Sequence, residues 1–233
     1  MTRYVWLCLF SIFVWGKDIY ATFTIEANQS ANLAFSTSGV VDRISVDIGD
    51  SVKKGQILAS LKVDDLKARL KLLEVELRYA QKDWKRAQKA KSVMDKVRLD
   101  QFALKKDMAL AKIKLQKALI AKSILKAPFD GVIFGKKSEV GDVVTGMNPK
   151  TILQIESKRD RKLIIHIDQR YSTIVKQGDI FRYTLSDNNT TKKVQITKIY
   201  PAIDTKNRKM ILQAQTKDEM VGLFGDGYIE VDR

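Results

Sequence analysis

The sequence predicts a mixed, elongated, multi-module fold: an antiparallel α-helical coiled-coil hairpin inserted into a small β-sandwich, with a small β-barrel beside it. Three observations carry this. Residues 63–126 lack Gly and Pro and repeat apolar residues at helical spacing. Two similar glycine-bearing β segments flank that stretch, displaced by 92 residues. The chain beyond Ser157 alternates apolar and polar residues in short runs.

Residues 1–21 read as a secretory signal peptide. Arg3 gives the positive start, Tyr4 to Trp15 is apolar, and Ala21 offers a small residue for cleavage after a brief polar stretch. The other reading is a retained anchor, for which twelve residues are short. Cys8, the only cysteine, lies inside the apolar run, so the mature chain has no thiol and no disulfide. Residues 22–35 alternate loosely (Phe23, Ile25, Leu33, Phe35) and are expected as N-terminal strands that join the barrel.

Residues 36–62 form the first half of the sandwich. Ile44, Val46 and Ile48 alternate between turns marked by Gly39, Gly49 and Gly55. Residues 63–126 follow as the hairpin. Leu66, Leu70, Leu73, Leu77, Ala80, Trp84 and Ala87 make one helical stripe, and Val97, Leu104, Met108, Ala111, Leu115, Ala118 and Leu125 make a second. The second is out of phase with the first, so two helices of roughly 30 residues, each about 45 Å long, are expected instead of one rod. Ser92-Val93-Met94-Asp95 fits a helix N-cap pattern and locates the bend.

Residues 127–156 repeat the first half: Gly131 to Gly141 spans ten residues, as does Gly39 to Gly49, and Gly146 closes the copy. Each copy has too few strands to bury a face alone, so the two must pair. They can meet only if Leu61 and Ala127 are close, whereas one continuous helix would hold them roughly 90 Å apart. The insert therefore doubles back. Residues 157–233 complete the barrel, with a short helix expected at 168–175 and a turn at Asp187-Asn188-Asn189.

Gly39-Val-Val-x-x-Ile-x-Val-x-x-Gly49-Asp-x-Val-Lys-Lys-Gly55-Gln-x-Leu and Ala127-Pro-Phe-Asp-Gly131 resemble the split biotinyl/lipoyl domain of periplasmic adaptor subunits, the membrane fusion proteins of tripartite efflux pumps and type I secretion systems. Pro201-Ala-Ile-Asp204-x-x-x-Arg208 and Leu223-Phe-Gly-Asp-Gly227 resemble the end of that family's barrel. The sandwich is then lipoyl-like. A biotin or lipoate carrier is a remote alternative, because the tight turn that would bear a modifiable lysine is replaced by the hairpin, and no Met-Lys-Met or Asp-Lys-Ala triplet is present. No cofactor is expected.

The net charge is +15, and residues 64–126 supply 18 Lys and Arg against 8 Asp and Glu. Such a balance suits nucleic acid, but lysines alternating with apolar positions are also the solvated outer faces of a hairpin, and export argues against a nucleic-acid partner. His166, the only histidine, is read as a structural strand residue, and Met147, Met210 and Met220 as core filler. No catalytic motif is legible, and no enzyme is expected.

The resemblance implies a periplasmic protein, exported by a cleaved signal and associated with the inner membrane. It implies a ring, six-fold as a trimer of dimers, between an inner-membrane transporter and an outer-membrane TolC-like channel, exporting drugs or other small molecules. A transporter of the resistance–nodulation–division (RND) type is favoured, and an ABC-type exporter or type I secretion system is the alternative. The bend is the expected channel contact: Ala90, Lys91, Ser92, Val93, Met94, Asp95, Lys96, Val97, Arg98 and Leu99, with Arg86 just below. The family's tip carries an Arg, a Leu four residues on and a later Ser. Arg86 matches, Ala90 replaces the Leu, and Val97 or Arg98 stands where the Ser would fall. Val93, Met94 and Val97 read either as anchors buried by a partner or as residues that close the coiled coil. Longer members return to build a membrane-proximal domain, so the barrel edge or the N-terminal strands are expected to meet the pump.

Overall fold

A computed structural model describes residues 17–185, 190–204 and 207–231. The chain divides into two compact units, residues 30–156 and the segments on either side of them. After β1 (Lys17–Ala27) come β2 (Ser30–Leu33), β3 (Gly39–Ile44), β4 (Ser51–Val52) and β5 (Ile57–Leu61). Helices α1 (Asp64–Lys89) and α2 (Lys96–Lys122) follow, then β6 (Ile124–Lys126), β7 (Gly131–Lys136), β8 (Val143–Val144) and β9 (Leu153–Ser157). The last strands are β10 (Asp160–Asp168), β11 (Ile180–Thr184), β12 (Thr191–Asp204), β13 (Lys209–Lys217) and β14 (Phe224–Val231).

In the unit of residues 30–156, two four-stranded sheets run in the orders β2-β9-β7-β4 and β6-β5-β3-β8. Each mixes strands from both sides of the helices. Gly39 pairs with Val144, and Val52 with Gly131. Gly39 and Val52 each reappear 92 residues on, as Gly131 and Val144, so one contact is made twice. The turns obey the same relation. The Gly49 amide donates to the Ile133 carbonyl at 2.8 Å, and the Gly141 amide to the Val41 carbonyl at 2.9 Å. Both glycines hold a left-handed backbone, φ +95° and +96°, which a Cβ would oppose. Val41, Ile133, Leu58 and Ile155 are buried in one cluster that neither half could close alone.

Not all six glycines expected at turns lie in them. Gly39 and Gly131 open β3 and β7, and a Cβ on Gly131 would run into the Glu156 carbonyl oxygen. Close strand approach, not a turn, requires glycine there.

The strands expected at 22–35 divide between the two units. β1 enters the barrel. β2 pairs with β9 from Ser30↔Glu156 to Leu33↔Leu153, and Leu33 and Phe35 join the sandwich core. The chain changes unit at Gln29, whose backbone is held on both sides by Ser157: the Gln29 amide donates to Ser157 Oγ (3.2 Å), and the Ser157 amide donates to the Gln29 carbonyl (2.8 Å).

Helices α1 and α2 run alongside one another in opposite directions. Gln116 donates to the Leu66 carbonyl (3.0 Å), Lys112 pairs with Glu76 (2.6 Å), and the Lys106 ammonium lies 5.3 Å from the Trp84 ring centre. The α1 stripe from Leu66 to Ala87 is turned inward, half-buried or buried throughout. The α2 stripe is not the expected one. Val97, Leu104, Met108 and Leu115 are exposed, and α2 turns inward the face bearing Phe102, Ala103, Ala109, Ile113 and Gln116. α2 carries apolar residues on two faces. Opposite the leucines and Trp84 of α1, the face with small Ala103 and Ala109 lets the helices approach, where bulkier side chains would overpack.

The second unit is a closed six-stranded barrel, β1-β10-β13-β12-β11-β14. Inward positions alternate along each strand, and at its centre Phe181 and Tyr183 stack while Phe23 meets both edge-on, with ring centroids 4.9–5.8 Å apart. The buried Tyr183 hydroxyl donates to Glu219 (2.7 Å), and burial pushes its pKa well above the ordinary tyrosine range. Closure requires all of β1. Lys17 to Thr24 pair with β14, and Thr22 to Ala27 pair with β10. Ile19 and Ala21 are each 1% exposed. Residues 17–21, expected within the signal peptide, are thus barrel wall, while the rest of that segment lies outside the described residues.

In place of the helix expected at 168–175 there is one 3-10 turn, Gln169–Tyr171. Asp168 caps it by accepting from the Arg170 amide (3.0 Å), and the Gln169 amide, without a partner inside the turn, donates to the Arg208 carbonyl (3.2 Å). The turn expected at 187–189 lies outside the described residues. Of the methionines read as core filler, Met210 is buried, whereas Met147 and Met220 stand out in solvent.

Candidate functional site

The end of the helix pair gathers the residues singled out by sequence. α1 ends at Lys89, and the Ala90 amide donates back to the Arg86 and Ala87 carbonyls. A tight turn over 90–94 follows, with the Val93 amide bonded to the Ala90 carbonyl at 3.1 Å. The N-cap of α2 is Asp95, not Ser92. Its backbone is extended (φ −60°, ψ 139°), and its carbonyl accepts from the Leu99 amide at 3.1 Å, while its side chain makes no capping bond. Ser92 falls inside the turn and is exposed.

The turn separates the three apolar residues. Val93 is 87% exposed and Val97 64%, whereas Met94 is half-buried together with Ala90 and Leu99. Met94 closes the end of the pair, and the two valines present apolar surface to solvent. Lys91, Lys96, Arg98 and Asp95 surround them, all exposed.

Below the turn, Lys82, Lys85, Arg86 and Lys89 line a shallow concavity of about 330 Å³. Their spacing of three, one and three puts them on a single face of α1. Arg86 is held by Asp83 and Lys82 lies 5.4 Å from the Tyr79 ring centre, while Lys85 and Lys89 have no acidic partner among the described residues. The result is an apolar tip on a basic collar. Arg86 was singled out from sequence, but the three lysines were not, although their helical spacing was legible.

A second concavity, of about 430 Å³, lies on the barrel wall where Thr22 of β1 pairs with His166 of β10. Tyr20, Arg170, Arg208 and Lys209 rim it. Burial, then Lys209, lowers the His166 pKa below its ordinary value. Asp168 is engaged by Arg170 (2.9 Å), whose guanidinium holds the carboxyl below the usual range. Among the described residues no group of three or more His, Cys, Asp or Glu is placed to hold a metal ion, and no helix is long and apolar enough to cross a membrane.

Residues 29–155 match the family described as the CzcB-like, barrel-sandwich hybrid domain. A curated, uncharacterized protein of Haemophilus influenzae is 24% identical over 212 residues, and the chain spans about half of that relative's length (86% of this chain, 53% of the relative). Among solved structures, a MacA-MexA chimeric protein containing the Pseudomonas aeruginosa MexA alpha-hairpin domain is similar with a TM-score of 0.87 at 20% identity, over 93% of this chain and 79% of its own. The membrane fusion protein Spr0693 of Streptococcus pneumoniae is similar with a TM-score of 0.76 at 13% identity, over 92% of this chain and 100% of its own. The match covers both sheets of the sandwich together with the helices inserted between its halves. The chain therefore belongs to the CzcB-like barrel-sandwich hybrid domain family.

Proposed function

We propose that the protein is a periplasmic adaptor that couples an inner-membrane efflux transporter, of the RND type, to a TolC-like outer-membrane channel. It is exported by a cleaved leader and acts as a conduit wall and not as an enzyme. The observation that carries the reading is the exposed tip: Val93 and Val97 stand in solvent at the far end of a helix pair whose other end is fixed in the sandwich. Apolar side chains so exposed, ringed by cations, are the composition of a contact surface. Arg86, Lys91, Ser92, Lys96 and Arg98 frame the contact.

The outward stripe of α2 supports self-association. Val97, Leu104, Met108 and Leu115 recur at steps of seven and four on one face and are exposed, covered by nothing among the described residues. Side-by-side packing of supercoiled hairpins in a hexameric ring, a trimer of dimers, would bury that face.

The test is site-specific photocrosslinking in the periplasm from positions 90 to 99, with the captured protein identified by mass spectrometry. An outer-membrane channel is expected from positions 93 and 97. Capture of only cytoplasmic proteins overturns the reading.

A further inference from the structure

We infer that the leader is cut between Gly16 and Lys17, five residues before the cut that the sequence suggests. This rests on the exported-adaptor reading above. Judged by small residues alone, two bonds qualify. Ala21 precedes one, and Gly16 precedes the other, with Val14 two residues further back and the apolar run ending between them. Sequence favours the first because a short polar stretch separates it from the apolar run. The barrel favours the second.

A cut after Ala21 would remove the first five residues of β1. Lys17 through Ala21 pair with Val231 through Gly227, so five of the eight residues of β14 would lose their neighbour on that side. Ile19 and Ala21 would leave the barrel core, where each is 1% exposed. Asp18 would leave Arg182, which it pairs with at 2.9 Å, and Tyr20 would leave the edge of Tyr228, 5.9 Å away between ring centres. A closed barrel tolerates no such gap, since the exposed strand would offer unpaired amides and carbonyls to any other chain. A cut after Gly16 removes none of these contacts.

The step is a hydrolysis. Water adds to the Gly16 carbonyl carbon and the bond to the Lys17 nitrogen breaks. Gly16 leaves as a carboxylate on the leader, and both protons of the water pass to the Lys17 nitrogen, which becomes a new α-ammonium at the first residue of β1.

The test uses the full chain with its own leader and a C-terminal tag, produced in a bacterium with a periplasm. The purified protein is read by intact mass and N-terminal sequencing. A mature chain beginning at Lys17 is expected. One beginning at Thr22 overturns the inference and leaves the export reading standing. An uncut chain in the membrane fraction also overturns it, whereas an uncut chain in the cytoplasm overturns the export reading itself. The variant Gly16→Leu, which changes nothing in the described barrel, is expected to accumulate precursor. Unchanged processing of that variant would place the cut elsewhere.

Discussion

The Leu61 amide donates to the Ser123 carbonyl at 2.9 Å, so the last residue of β5 and the residue after α2 are hydrogen-bonded neighbours. The sheet continues outward from that point, with Ser60↔Ile124 and Ala59↔Leu125 in register, and then the Gly55 amide on the Ala127 carbonyl at 2.8 Å. The two helices therefore leave and re-enter the sandwich at one place. No residue of α1 or α2 belongs to the sandwich core.

It follows that the helix pair is removable. Replacing residues 64–122 with a Gly/Ser linker of about four residues keeps the closure short, and loop-closure entropy changes only slowly with length. The shortened chain is expected to unfold cooperatively with its sandwich intact, and to lose every crosslink to a channel. A shortened chain without a cooperative thermal transition would contradict this.

The related turns predict related costs. Nothing lies within 4 Å of a Cβ built on Gly49 or Gly141, so replacement by Ala strains the backbone without a clash. Each of Gly49→Ala and Gly141→Ala is expected to destabilise by about 1–2 kcal/mol, and by nearly equal amounts, in urea unfolding. A large inequality would mean that the two turns are not equivalent.

What was legible in the sequence was what repeats or points one way. The ten-residue spacing of Gly39–Gly49 and Gly131–Gly141 gave away the doubled sandwich, because Gly49 and Gly141 hold left-handed backbones and Gly131 has no room for a Cβ. The α1 stripe was legible because seven apolar residues repeat at steps of four and three from Leu66 to Ala87, against only the large apolar residues Leu72, Val75 and Tyr79 on the outward face. α2 was not, since Val97, Leu104, Met108 and Leu115 form a regular series that lies on the face turned outward, and the inward face mixes Ala109 and Ile113 with Gln116. Spacing reports an apolar face but not which of two faces the neighbour covers. The start of β1 was hidden for a similar reason: Ile19 and Ala21 follow the apolar run Tyr4–Trp15 with only a short polar break.

The outward α2 stripe predicts a separation of stability from assembly. Leu104→Gln and Leu115→Gln are expected to change folding stability by no more than about 0.5 kcal/mol, as for other exposed positions. Both are expected to weaken self-association, read by sedimentation. Ile113→Ala, on the buried face, is expected to cost about 2–4 kcal/mol. Equal destabilisation by Leu104→Gln and Ile113→Ala would reverse the assignment of the two faces.

The upstream part of β1 predicts a stability effect apart from processing. Ile19 is 1% exposed in the barrel core, so Ile19→Ala in a chain beginning at Lys17 is expected to cost about 2–4 kcal/mol. A chain beginning at Thr22 should lose more, because the pairing with β14 goes as well. Chemical denaturation of the three chains orders them.

His166 predicts a pH dependence with its own window. Burial and the nearby Lys209 hold the imidazole below its ordinary value of 6.5, against the opposing pull of Asp204 and Glu26. Below pH 6.5 the unfolded chain therefore takes up a proton that the folded chain resists. The contribution is fully present above 6.5 and is lost as pH falls through the lowered folded value. The carboxylates act in a separate, more acidic window. Asp168, Asp218 and Glu230 are held below their ordinary values by hydrogen bonds from Arg170, Arg159 and Lys193, so their stabilisation is lost only as pH falls through the depressed folded values. Thermal melts between pH 7.5 and 5 should therefore show a modest decline that His166→Asn removes, with the steeper acid limb unchanged in both proteins. The decline is modest because the ring is only half-buried. A wild-type melting temperature that rises as pH falls from 7.5 to 5, and no longer does so in His166→Asn, would mean that the folded state favours the charged imidazole.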